Sequence, residues 1–229
     1  MALIQNAKGR RQHQTPSGYT RLFGVPDLGN LMSRVQSAVI SAGTELEHLI
    51  IERCQHIDNL DQFLSERLHD NEPGVFVATK RQVKTSKIIH SSYEPDFVGF
   101  RLDKRICYVV EVKDGDQFDT KKASAEYQSL HNFAHDVSQK LPFSMQIYMC
   151  SFNSENVEDV YQGLKRKFNK DELLTGRGLC ALFGIKHQDI IKVRISQQQV
   201  NLEYFVQQLV AIPTVRYVLD KVLHENAEL

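Results

Sequence analysis

An apolar run, Ile106-Cys107-Tyr108-Val109-Val110, leads directly into Glu111-Val112-Lys113. Side chains alternate along a strand, so the Glu111 carboxylate and the Lys113 ammonium share one face. Residues 97–102 are also rich in aromatic and branched side chains, and a two-residue turn at Asp103-Lys104 would join both segments as a hairpin. With that turn Leu102 faces Arg105 and Asp96 faces Glu111, which sets two carboxylates side by side with Lys113 next along the same face. Like charges opposite one another on a sheet repel, and unpaired carboxylates beside an apolar core are costly. A divalent cation removes that cost. Hard oxygen ligands suit Mg²⁺, which keeps several waters and accepts a phosphate oxygen, so Asp96 and Glu111 are expected metal ligands. Lys113 can orient a water and offset charge on a five-coordinate phosphorus, and the residues therefore specify hydrolysis of a phosphodiester better than any other reaction.

The surrounding pattern supplies elements to hold such a site. Leu31, Val35, Val39, Ala42, Leu46, Leu49 and Ile50 recur at helical spacing from Leu28 to about Arg53, with Asp27 as the expected N-cap. A second helix is expected over 58–68, ended by the breaker run from His69 to Gly74. Short strands are expected at 75–79 and 87–90, better ones at 97–102 and 106–112, then a helix over 120–141 and a strand over 145–152. Strand, helix, strand at this separation implies a right-handed crossover, and hence an α/β domain built on a central mixed β-sheet flanked by helices. Beyond it, residues 157–168 read as a helix, 169–178 as irregular, 179–183 as a short helix, 190–195 as a strand, and 202–223 as closing helices broken near Pro213.

Glu94-Pro95-Asp96, fourteen intervening residues, then Glu111-Val112-Lys113 resembles the PD-(D/E)xK nuclease superfamily. The resemblance covers mainly residues 35–152. It implies a restriction-endonuclease-like core in which Asp96 and Glu111 bind Mg²⁺ and Lys113 is catalytic. The superfamily often adds an acid on the helix before the sheet, and Glu47 fits that place better than Glu45. A bare acid-x-Lys triplet is weak evidence, since Asp119-Thr120-Lys121 is another; the weight comes from Pro-Asp on one strand and an apolar strand ending in Glu-x-Lys. Within the superfamily the length is similar to that of type II restriction enzymes. The expectation is a site-specific double-stranded DNA endonuclease that needs no nucleotide cofactor and acts as a homodimer, because symmetric cutting needs two sites. A repair or recombination nuclease that recognises DNA structure, and an inactive DNA-binding module with the same fold, are the alternatives.

The bulk charge is silent on the partner: Lys plus Arg and Asp plus Glu each total 28. Clustering is more informative, because phosphate contacts dominate affinity for nucleic acid. Lys8, Arg10 and Arg11 lie in a basic arm over 1–24, and Lys80, Arg81, Lys84 and Lys87 precede the motif hairpin. Arg166 and Arg177 lie in a third basic region, while Lys121 and Lys122 open a helix where the dipole disfavours cations, which suggests a phosphate contact. The 229 residues are expected to form a single nuclease domain, with a core over 28–152 and an extension of helices and a strand over 153–229 for recognition or dimerisation. Base readout is expected from residues within 166–199, including Lys186, His187, Gln188 and Gln197 to Gln199. Asp114, Asp116 and Asp119 read as a solvated turn rather than a second metal site. Four isolated cysteines suggest buried thiols, and His90, His131 and His135 lack zinc-ligand spacing. With no apolar stretch long enough to span a bilayer and no secretory pattern at the start, a cytoplasmic location with no membrane partner is expected.

Overall fold

The structure is a computed structural model that describes residues 2–9, 15–115 and 119–227. These divide into two compact units, one of residues 46–190 and one made of both ends of the chain, up to 45 and from 191.

The unit of residues 46–190 is built on a six-stranded mixed sheet in sequential order, from β1 (Gln55–His56), β2 (Phe76–Thr79) and β3 (Phe97–Arg101) to β4 (Ile106–Lys113), β5 (Ser144–Ser151) and β6 (Leu173–Thr175). Strands β2 to β4 are antiparallel; β1 runs parallel to β2, and β4, β5 and β6 are parallel to one another. The link from β4 to β5 is the expected helical crossover, α5 (Thr120–Ser138). On one face, alternate residues Val98 and Phe100 of β3, Cys107 and Val109 of β4 and Met149 of β5 join a core with α3 (Leu60–Arg67), α5 and α6 (Val157–Gly163). Phe63, Phe100 and Phe143 stack there with centroids less than 6 Å apart: Phe63 to Phe100 is 5.8 Å and Phe100 to Phe143 5.7 Å. On the other face Phe97 meets Phe183, which follows α7 (Gly176–Leu182), edge to face at 5.9 Å.

The hairpin keeps the expected register with a different turn. Phe97 pairs with Val110 and Arg101 with Ile106, but Leu102–Lys104 form a turn of 3₁₀ helix closed by Arg105 in the left-handed region at φ 54°. A four-residue loop replaces the two-residue one. Helix α2 (Pro26–Ile51) begins with proline at its first position, so Asp27 lies in the first turn rather than capping it. Residues 87–90 form no strand. The β-branched run at 190–195 is not a strand either, but one stretch of α8 (His187–Ala211).

In the terminal unit, α8 and α9 (Pro213–Ala227) accompany α1 (Gly18–Phe23) and the first part of α2. Residues 2–9 are fastened there: Ala2, Leu3 and Ile4 are buried, the Ile4 amide donates to Asn201 Oδ1 at 2.8 Å, and Asn201 Nδ2 donates to the Ala2 carbonyl at 3.0 Å. Arg34 donates to the Ala7 carbonyl at 3.1 Å and lies 5.2 Å from the Tyr204 ring. No described helix is long and apolar enough to cross a membrane. Cys107, Cys150 and Cys180 are buried free thiols, whereas Cys54, expected to be buried, is only half-buried.

Candidate active site

The alternation that puts Cys107 and Val109 in the core carries Glu111 and Lys113 along the same face to where the strand leaves it. Asp96, one residue before β3 and opposite Glu111, follows Val98 in the same way. The two carboxylates are only 5% and 6% exposed. They are fixed by each other's strand. Asp96 Oδ2 accepts from the Val112 amide at 2.9 Å, and Glu111 Oε2 accepts from the Asp96 amide at 3.3 Å. Lys113 Nζ donates to Glu111 Oε1 and lies 3.2 Å from Glu126 Oε1. Lys80 Nζ stands 3.5 Å from Asp96 Oδ1.

Helix α4 (Lys80–Thr85) follows β2 with no intervening residue, because Thr79 is both the last residue of the strand and the N-cap of the helix. Its capping box uses Gln82, whose amide group also donates to the Ile57 carbonyl and so ties α4 to the segment after β1. The helix thereby holds Lys80, Arg81 and Lys84 along a pocket of about 440 Å³ that Glu47 and Asp96 also line. A neighbouring pocket of about 410 Å³, lined by Lys80, Glu94, Glu111, Lys113 and Glu126, shares Lys80 and Glu94 with the first.

The electrostatics follow from this crowding. Burial and then the Asp96 charge push the Glu111 carboxyl up to about 7, against the opposing pull of Lys113. Burial alone would lower the Lys113 ammonium, but Glu111 and Glu126 outweigh it and hold the lysine charged. Glu47 is raised as well, first by burial and then by Asp96. Such mutual repulsion among oxygen anions is what a hard cation relieves. The donor set fits Mg²⁺, which settles for one or two carboxylates and completes its shell with water and phosphate oxygens. Among the described residues no three His, Cys, Asp or Glu side chains form a ready-made cation cage.

Asp96, Glu111, Lys113 and Glu47 thus come together in one cleft, with Lys80, Arg81 and Lys84 on its wall. Glu45 turns elsewhere and accepts from the Ala2 amide at 2.9 Å. Lys8, Lys87, Lys121, Lys122, Arg166 and Arg177 are exposed but line neither pocket. Arg10 and Arg11, like Asp116, lie outside the described residues. Asp119 caps α5 by accepting from the Lys122 amide at 2.8 Å, and Asp114 accepts from Asn153 at 2.9 Å. Gln197, considered for base readout, is buried and donates to Glu45. Glu126 escaped the reading of the sequence. It sits three residues after buried Ala123 and four before buried Leu130, and an acid on that inward stripe was the available signal.

No protein-family model matches the chain, and no solved structure does. The chain is 40% identical over 227 residues to the type II restriction enzyme HhaII of Haemophilus parahaemolyticus, an alignment that covers 96% of this chain and 99% of that protein. Identity of that extent, over a mixed sheet flanked by helices, shows that the chain belongs to the type II restriction enzymes and is a restriction endonuclease.

Proposed function

We propose that this endonuclease cuts double-stranded DNA at a specific sequence with Mg²⁺, using Asp96, Glu111 and Lys113, and that it works as a homodimer. The observation that carries the reading is the pair of buried carboxylates on adjoining strands with a charged lysine bonded to one of them. When bound there, Mg²⁺ would polarise the scissile phosphodiester and acidify a coordinated water. Asp96 and Glu111 would hold it. Lys113 remains protonated between Glu111 and Glu126 and offsets the negative charge that builds on the phosphorus oxygens as water adds and the P–O bond breaks. Glu47 adds a third carboxylate to the cleft. Lys80, Arg81 and Lys84 attract and align the phosphate backbone, and exposed Lys87, Lys121, Lys122, Arg166, Arg177 and Lys8 extend that field. Sequence discrimination falls to the C-terminal third, where Lys186 and Gln188 are exposed and available to base edges.

Two strands need two cuts. A single chain offers one Asp96, Glu111, Lys113 set, so a second chain supplies the other.

Digesting DNA of known sequence with the purified protein and MgCl₂, then mapping the ends, tests the proposal. Discrete fragments with identical flanking sequence, lost on adding a chelator, are expected. A smear, cutting governed by branches or mismatches, or cutting that persists in the chelator would overturn it.

A further inference from the structure

Glu126 belongs neither to the carboxylate pair nor to the basic wall of the cleft, yet it lines the same pocket as Glu111 and Lys113. The helical period puts it there: Ala123 and Leu130 of α5 are buried in the core of the sheet unit, and a residue three beyond one and four before the other points the same way. Its carboxylate is partly buried, and among the described residues its ion pair is with Lys113, whose Nζ lies 3.2 Å from Oε1. Lys113 therefore stands between two acids. It donates to Glu111 Oε1, while Glu111 Oε2 accepts from the Asp96 amide at 3.3 Å. Both oxygens of the expected metal ligand are thus engaged. A dication and an ammonium on one carboxylate oxygen repel each other, and the more so where burial removes the screening of water. Glu111 is such a place. For Oε1 to become a metal ligand, the ammonium has to be held elsewhere, and a lysine charge left without a partner in a half-dry cleft is costly. Glu126 is already within reach of it, so the ammonium gives up one contact and keeps the other.

We propose that Glu126 is a positioning residue that takes over the Lys113 ammonium from Glu111 as that carboxylate becomes a ligand of a divalent cation. The handover keeps the lysine charged and inside the cleft. It rests on the reading of Asp96 and Glu111 as the metal ligands; what it adds is that Glu126 acts on cation binding only through Lys113. A third carboxylate that attracts the cation directly would behave differently once the lysine is removed.

Mn²⁺ binding to the full chain without DNA, followed by electron paramagnetic resonance of the unbound ion, separates the two roles. Glu126→Gln keeps the size of the side chain and should weaken Mn²⁺ binding by about 10-fold or more, the worth of one charge-assisted hydrogen bond, because Lys113 then has only Glu111 as an anionic partner. Lys113→Met keeps the stem, removes the competing ammonium and should tighten binding. With Lys113→Met in place, Glu126→Gln should change the affinity by less than about 3-fold. Equal losses with and without the lysine would make Glu126 a direct attractor and overturn the proposal. So would an affinity indifferent to Glu126→Gln, or one that Lys113→Met weakens. Asp96→Asn identifies the site. If Mn²⁺ binding survives it, or the unaltered chain binds none, the metal-site reading and the handover fall together; if Asp96→Asn abolishes binding and Glu126→Gln leaves it unchanged, only the handover falls. A chain with the expected Mn²⁺ pattern that leaves duplex DNA uncut in MgCl₂ upholds the handover and defeats the proposed use of the site.

Discussion

The unit of residues 46–190 buries its aromatic side chains against both faces of a sheet and gathers opposed charges in one cleft, whereas the terminal unit leaves valines, leucines and a tyrosine in water. The sheet unit satisfies its own hydrophobic demand; its crowded feature is electrostatic, two buried carboxylates held side by side, one against Lys113 and the other near Lys80. In the terminal unit the unsatisfied feature is apolar surface. Under the proposed function, the first is the feature that a cation with a phosphate backbone would relieve.

Substitutions can break or sharpen that contrast. The largest effect is expected at the cleft. Asp96→Asn or Lys113→Ala should reduce DNA cleavage by about 1,000-fold or more, measured as single-turnover rates, while gel-shift affinity for the cognate site is kept; unaltered cleavage in both would refute the site. Next, Phe133→Ala, in the middle of the sheet unit's core, should cost about 3–5 kcal/mol in denaturant unfolding. Val39→Ala, on an exposed stretch of α2, should cost less than about 0.5 kcal/mol. Equal losses would refute the contrast in burial.

A pH series tests the charge crowding. The Glu111 carboxyl is raised in the folded protein, so the folded state binds more protons than the unfolded chain between its ordinary value and about 7. Its contribution to stability therefore falls as pH rises through that window. Metal-free protein should lose melting temperature across it, Glu111→Gln should flatten the slope, and excess MgCl₂ should offset it by favouring the ionised pair. The smallest effect belongs to the cleft wall: Lys84→Ala should lower the dependence of log affinity on log salt by about one unit, leaving the cutting position unchanged.

Much of the β3–β4 hairpin was legible because its register depends on a midpoint. A two-residue turn at Asp103-Lys104 and the observed loop of residues 102–105 share one centre, so Asp96 stays opposite Glu111 under either. The small strands were not legible. Gln55–His56 is exposed and polar, and Leu173–Thr175 follows a charged stretch; each joins the sheet by backbone pairing with a neighbour that local composition does not announce. Ile190 to Ile195 shows the opposite failure. Its branched residues favour a strand locally, yet the chain continues as a helix with Ile190 buried. Glu126 was missed because only apolar residues were counted on the inward side of α5, the side that reaches Lys113.

The junction of β2 and α4 has a mechanical consequence. With Thr79 shared between strand and helix, there is no slack through which α4 could swing toward a duplex on its own. Gln82 anchors its other side to Ile57. If Lys80 and Arg81 grip a phosphate chain as proposed, the grip would come from side-chain reach or from tilting of the whole sheet, as in a vise with jaws of fixed spacing.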